Sequence, residues 1–114
     1  ENRDISQIEI EAKRNSFTTV IEGCEAMFGD QSFRLLPDRS GRRRVSAALY
    51  DAVTVSLMRR IDDLPRFVDK GNAIQTRIEA LLADKPELMT GQANTSNSIK
   101  DRLKAIGSIL DDFR

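Results

Sequence analysis

The chain is short, evenly charged and free of histidine, and these properties exclude several classes of function. Its 114 residues suit one domain. Eighteen basic and eighteen acidic residues leave no net charge, so any attraction to nucleic acid must come from a local patch of the surface. The absence of histidine removes histidine-dependent catalytic triads and zinc centres with histidine ligands.

The cellular location is indicated by the cysteine content and by the hydropathy pattern. A single cysteine, Cys24, excludes an internal disulfide and fits a reducing compartment, so we expect a cytoplasmic protein. No apolar run approaches the ~18 residues of a membrane span, and no signal peptide is evident, so we expect no membrane contact. The sequence begins at Glu1 within a charged helical pattern. We therefore expect one helical domain over residues 1–114 that is a C-terminal fragment of a longer protein.

An apolar stripe with spacings of three and four predicts a first helix over residues 4–28, with Asp4 as its N-cap. Polar residues 13–16 interrupt this stripe and allow a break there. Gly29 suits the left-handed position that ends a helix. The stripe consists of Ile5, Ile8, Ala12, Phe17, Val20, Ile21, Cys24, Met27 and Phe28. Cys24 is therefore expected to be a buried structural residue rather than a nucleophile.

A second helix is predicted over about residues 45–61, with Ser46 as its N-cap. Its apolar residues cover more than one stripe, which is typical of a helix packed on several sides at the centre of a core. We expect three of its side chains to be among the most buried of the protein, namely Leu49, Val53 and Leu57.

A third helix is predicted over about residues 66–84, after the break marked by Pro65. Gly71 weakens its first turn by up to about 1 kcal/mol relative to alanine, which favours a start near Asn72. A proline is tolerated in the first turn of a helix, so a short helical turn is expected over 86–90.

The last helix is predicted over about residues 98–113, after a polar loop at 90–98. Ser98 and Asp101 match the capping-box pattern. Its buried stripe is expected to contain Ile99, Leu103, Ile106, Leu110 and Phe113. No strand pattern or internal repeat is present, so the fold class is all-α, a bundle of about four helices with an irregular Arg-rich loop between the first two.

That loop, residues 29–44, is the most basic part of the chain and is punctuated by Pro37 and Gly41. Arginine matches the geometry of phosphate oxygens, and the N-terminus of the following helix adds backbone N–H donors. Binding of nucleic acid or another anion, ion pairs with carboxylates inside the fold, and simple solvation are all open interpretations. Against Asp38 alone, five arginines give residues 34–44 a net charge of +4: Arg34, Arg39, Arg42, Arg43 and Arg44.

The carboxylates do not predict catalysis. Adjacent side chains on a helix diverge by ~100°, so neighbouring aspartates cannot share a proton or a metal. The arginine loop also lacks the glycine and lysine spacing of a P-loop. We expect no catalytic residue, metal or cofactor, and solvated roles for the acidic pairs Asp62-Asp63, Asp111-Asp112, Glu9/Glu11 and Glu22/Glu25.

Two stretches together resemble the C-terminal helical region of the GmrSD-type restriction family, whose members carry an N-terminal ParB/sulfiredoxin-like nuclease domain. They are "FGDQSFRLLPDRSGRRRVSAALYDAVTVSLMRR" and, some thirty residues later, "TGQANTSNSIKDRLKAIGSIL". In that family a Phe-Arg loop leads through a basic Gly/Arg segment into an alanine-leucine helix, and a late Thr-Gly-Thr/Ser turn leads into a basic final helix. Within about residues 20–110, these places are held by Phe33-Arg34, Gly41 to Arg44, Ala48-Leu49-Tyr50-Asp51, Thr90-Gly91 and Ser98 to Arg102.

The resemblance implies a defence protein whose activity lies outside these residues. The family's activity is assigned to an Asp-Gly-Gln-Gln-Arg motif in the nuclease domain, and this sequence lacks that motif. The implied role is an accessory helical domain of a bacterial restriction or anti-phage protein that contacts the DNA backbone or positions DNA for the nuclease domain. The alternative is a protein-interaction or oligomerisation module whose arginines meet carboxylates of the nuclease domain or of a second copy.

Overall fold

The computed structural model describes residues 5–89 and 96–114, which form a bundle of α-helices without a β-strand. The five helices are α1 (Ile5–Phe28), α2 (Ala47–Met58), α3 (Leu64–Asp69), α4 (Gly71–Asp84) and α5 (Ser96–Asp111). Short 3-10 turns lie at Gly29–Gln31, Ile61–Asp63 and Pro86–Met89. The all-α prediction is confirmed. In the described part of the chain, no helix is both long and apolar enough to cross a membrane.

Helix α2 lies against both α1 and α5, while α1 also packs on α3 and α4. Ser46 caps α2, as its sequence predicted, because the Ser46 hydroxyl accepts a hydrogen bond from the Leu49 amide. The side chains of Leu49, Val53 and Leu57 are at most 3% exposed, so their predicted burial is confirmed. Around them the largest fully buried side chains include Phe67, Ile74, Met89, Ile106 and Leu110.

The third predicted helix, residues 66–84, is divided into α3 and α4, so the prediction of four helices was one too few. The chain turns at Lys70, and α4 begins at Gly71 rather than near Asn72. A Cβ atom on Gly71 would lie 2.7 Å from the Met27 carbonyl oxygen, so the backbones of α4 and α1 touch here. The helix is interrupted where the chain crosses α1, which local sequence preference does not encode.

The first half of α1 is solvent-exposed, contrary to what its apolar stripe suggested. Val20, Cys24 and Met27 are buried, whereas Ile8 and Phe17 are 54% and 38% exposed. The reason is length: α1 has 24 residues and is about 36 Å long, whereas α2 has 12 residues and is about 18 Å long. No other helix is long enough to cover the whole of α1. The predicted N-cap, Asp4, is outside the described residues.

Helix α5 begins and ends about two residues earlier than predicted, at Ser96 and Asp111, and its N-terminal end also differs in its contacts. Ser98 lies inside the helix, which already includes Ser96, so the predicted capping box of Ser98 with Asp101 is wrong. Packing fixes this end of α5: Arg102 is buried, and its Nε donates a hydrogen bond to the Leu88 carbonyl oxygen at 2.7 Å. Ile99 is 46% exposed rather than buried. Most of the predicted loop at 90–98 lies outside the described residues.

Cys24 is buried among apolar side chains of the core, with 1% of its surface exposed. Burial raises the pKa of its thiol to about 12, because the thiolate would be poorly solvated. We expect a thiol reagent at neutral pH to modify the native protein far more slowly than the denatured protein. Time-resolved mass spectrometry measures both rates, and equal rates would contradict the burial.

Candidate anion-binding surfaces

The predicted Arg-rich loop is an ordered hairpin-like segment over residues 32–46. Backbone N–H groups donate across it from Leu35 to Arg44 at 2.8 Å, from Ser46 to Phe33 at 2.8 Å and from Asp38 to Arg42 at 3.0 Å. An isolated antiparallel bridge joins Arg34 and Val45. The Phe33 ring packs edge-on against Tyr50 of α2, with 4.7 Å between ring centroids. The loop is therefore attached to the bundle rather than free in solvent.

The Asp38 carboxylate organises the tip of this segment. It accepts hydrogen bonds from the Ser40 amide at 2.9 Å, the Ser40 hydroxyl at 2.6 Å and the Arg42 amide at 3.0 Å. These bonds, with the Ser40 hydroxyl contributing most, lower the pKa of Asp38. Gly41 has a φ of +82°, which glycine adopts without strain. The one acidic group in the basic stretch therefore shapes the turn.

Two of the five arginines form hydrogen bonds or ion pairs that hold the loop together or attach it to α4. The Arg34 guanidinium donates to the carbonyl oxygens of Asp30 at 2.7 Å and Arg43 at 2.9 Å. The Arg43 guanidinium donates to the Leu35 carbonyl oxygen at 3.0 Å and pairs with Glu79 of α4 at 3.2 Å. The Arg43–Glu79 contact corresponds to the intramolecular ion-pair interpretation, whereas Arg34 donates to backbone carbonyl oxygens only. Both sets of contacts give these two arginines a structural role.

The other three arginines point toward solvent. Arg39 and Arg42 are exposed, and within the described residues their side chains have no hydrogen-bond or ion-pair partner. Arg44 is 75% exposed and lies 3.8 Å from the Asp38 carboxylate. Arg42 also borders an open hollow of about 490 Å³ whose other lining residues are Asp30, Gln31, Arg34 and Arg43. We call Arg39, Arg42 and Arg44 the loop patch.

The N-terminus of α2 was expected to add N–H donors to this patch, and Ser46 occupies one of them. Ser46 is buried, and its hydroxyl accepts from the Leu49 amide at 3.1 Å while donating to the Met89 carbonyl oxygen at 2.6 Å. The Leu49 donor is therefore satisfied internally. An anion at the loop patch therefore contacts the guanidinium groups rather than the Leu49 amide.

A second basic surface, not anticipated from the sequence, lies where α2 packs against α5. We call it the α2–α5 cleft: an open hollow of about 510 Å³, lined by Arg59, Arg60, Lys100, Leu103, Lys104 and Arg114. The only sequence signal for it was the i, i+4 spacing of Lys100 and Lys104, which places both on one face of α5. The other cations come from distant parts of the chain, so only the fold brings them together.

Three carboxylates of the two aspartate pairs are engaged with arginines. Asp111 accepts two hydrogen bonds from Arg60, at 2.7 and 3.2 Å, and these lower the pKa of Asp111. Asp63 pairs with Arg114 at 2.9 Å, and Asp112 with Arg77 at 2.8 Å. Among residues 5–89 and 96–114, no three Cys, Asp or Glu side chains lie close enough together to hold a metal ion.

Comparison with known proteins gives no relative from which a role could be transferred. No family model, curated protein or solved structure matches the chain. Two observations therefore bear on function, namely the two basic surfaces and the sequence resemblance to the GmrSD-type family.

Proposed function

We propose that this chain is an accessory helical domain of a bacterial restriction or anti-phage protein that contacts the backbone of DNA and presents it to a nuclease domain. The observation that carries the proposal is the loop patch, in which three exposed guanidinium groups project from a segment whose conformation is fixed by its own hydrogen bonds. The planar guanidinium fork matches phosphate oxygens with two parallel hydrogen bonds, so less side-chain freedom is lost for each bond formed.

The contacts are to phosphates rather than to bases. The exposed arginines lie on a loop, and such contacts position a protein on a duplex without reading its sequence. The balanced charge of the chain leaves no general basic field, so binding must be confined to patches. The resemblance to the GmrSD-type family adds the nuclease partner, because that family combines such a helical region with a nuclease domain.

The test is the double variant Arg39→Ala/Arg42→Ala, which removes two side chains without an internal partner. Binding of a fluorescein-labelled DNA duplex is followed by anisotropy at several salt concentrations. We expect the affinity to fall about tenfold and the slope of log K against log salt to decrease in magnitude by about two, since each phosphate contact contributes about 0.9. The thermal melt should be unchanged, because neither side chain is bonded within the described fold.

The control removes the same charge elsewhere. Arg14→Ala/Arg66→Ala deletes two exposed arginines of α1 and α3 and is expected to leave the salt slope close to that of the unmodified chain. Arg43 stays in place in both variants, because its bonds to Leu35 and Glu79 would mix folding with binding. Equal losses in the two double variants would show that only total charge matters, and would contradict the loop patch as a site.

A protein-interaction or oligomerisation module is the second candidate, and the exposed first half of α1 favours it. Ile8 and Ile10 are 54% and 52% exposed there, in the half of α1 that the other described helices leave uncovered. Association through an apolar face depends weakly on salt, whereas phosphate contacts depend on it steeply. The same salt series therefore separates the two candidates.

A further inference from the structure

The α2–α5 cleft has more positive charge than its own acidic neighbours neutralise. Asp111 and Asp63 satisfy Arg60 and Arg114. The side chains of the remaining cations have no hydrogen-bond or ion-pair partner in the described part of the chain, and all are exposed: Arg59, Lys100 and Lys104.

The arrangement of these three cations is fixed by helix packing. Arg59 follows the last turn of α2, while Lys100 and Lys104 lie one turn apart on α5. Helices α2 and α5 pack against each other, and the Arg60 side chain beyond the end of α2 reaches α5, since a Cβ on Gly107 would lie 2.7 Å from its guanidinium nitrogen. Arg60 in turn is fixed by Asp111 and by the Ser56 carbonyl oxygen. The backbone positions that carry these three cations are thus held by helix packing.

The lining of the cleft selects for phosphate rather than for a base or a sugar. Five of its six lining side chains are basic, and Leu103 is the one apolar member. No aromatic ring lines it, so it lacks the stacking platform typical of single-strand binding. A ligand held by point charges at an open surface must itself carry several closely spaced negative charges.

We propose that Arg59, Lys100 and Lys104 form a second binding site for the phosphate backbone of duplex nucleic acid, separate from the loop patch. The choice of DNA as the ligand rests on the proposed function, whereas the choice of these three residues rests on the structure of the cleft alone. The two sites adjoin opposite ends of α2, whose 12 residues span about 18 Å. The length of α2 is about half of the ~34 Å turn of a DNA duplex, so one duplex is long enough to reach past both ends of this helix.

The test is the triple variant Arg59→Gln/Lys100→Gln/Lys104→Gln in the full chain, titrated with a labelled DNA duplex over a series of salt concentrations. We expect at least a tenfold loss of affinity and a decrease of almost three in the magnitude of the salt slope, at about 0.9 for each phosphate contact. The variant should melt as the unmodified chain does, because all three side chains are exposed and without internal partners. The charge-retaining variant Lys100→Arg/Lys104→Arg should keep the original slope.

The matched control is Arg66→Gln/Lys70→Gln/Lys85→Gln, which removes one arginine and two lysines from exposed positions away from both basic surfaces. If this control loses as much affinity as the cleft variant, the cleft is not a site and the proposal fails. It fails equally if the cleft variant binds the duplex as the unmodified chain does. Binding of the chain to anionic phospholipid vesicles but not to the duplex would also overturn it, in favour of a membrane surface.

Comparison with the loop variant Arg39→Ala/Arg42→Ala separates this inference from the proposed loop function. Loss in the cleft variant alone supports the cleft and contradicts the loop patch. Loss in the loop variant alone does the reverse. Loss in both supports two contacts with one duplex, and the combined variant should then have a salt slope lowered by the sum of the two changes.

Discussion

The substitution Gly71→Ala is expected to lower the free energy of unfolding by about 3 kcal/mol, although alanine is the better helix former by up to about 1 kcal/mol. The added Cβ would lie 2.7 Å from the Met27 carbonyl oxygen and 2.8 Å from the Met27 Cα. Both are backbone atoms of α1, so no rotamer change relieves the overlap, and α4 must move away from α1. Urea denaturation followed by circular dichroism measures the loss.

Gly107→Ala is the control for this prediction. Its Cβ would also meet an atom at 2.7 Å, but that atom is the end of the flexible Arg60 side chain, which can rotate away. The cost is then confined to the Arg60–Asp111 ion pair at the surface, and we expect a much smaller change in unfolding free energy. A loss at Gly71 no larger than the loss at Gly107 would show that the two helix backbones are not in contact.

The substitution Leu49→Ala is expected to cost about 2–5 kcal/mol of unfolding free energy, the usual range for a leucine truncated in a core. Leu49 is 2% exposed and lies in the turn of α2 that Ser46 caps, so the surrounding backbone cannot easily collapse into the space left behind. Equilibrium urea denaturation gives the value. Val55→Ala is the control on the same helix, since Val55 is 36% exposed, and it should cost less than about 1 kcal/mol.

A loss below about 1 kcal/mol for Leu49→Ala would contradict the central position of α2. An equal loss for both variants would do so too, because it would mean that the two faces of α2 are equally buried.

The central helix could be predicted from the sequence because the signals for its burial lie within its own residues. The apolar positions of α2 surround the helix on several sides, and Ser46 precedes them with a hydroxyl suited to capping. Both features are local. The same periodicity misled at α1, where Ile8 belongs to a regular stripe but extends beyond the helices that would cover it. Periodicity identifies the face that can be buried, but not whether another element reaches it.

The division of the third helix and the sorting of the arginines depended on contacts between distant residues. The break lies at Lys70, next to the place where Gly71 meets the backbone of Met27, 44 positions earlier in the sequence. Arg43 differs from Arg42 because the fold brings its guanidinium to the Leu35 carbonyl oxygen and to Glu79 of α4, at 3.0 and 3.2 Å. In the sequence the five arginines are equivalent. Only the fold shows that Arg34 and Arg43 are hydrogen-bonded, that Arg44 forms an exposed ion pair with Asp38, and that Arg39 and Arg42 are exposed without a partner among the described residues.

The bonds that attach the arginine loop to the bundle also determine when, during folding, the loop can take its final position on the bundle. The Ser46 hydroxyl reaches the Met89 carbonyl oxygen across 43 positions of sequence, and Arg43 reaches Glu79 across 36. Contacts of such long range form only after the intervening chain has been closed into place, so their entropy cost delays them relative to the individual helices. During synthesis, α1 and the loop emerge well before residues 79–89. The hydrogen bonds within the basic segment join residues close in sequence, but its attachment to the bundle is completed only when the later helices dock.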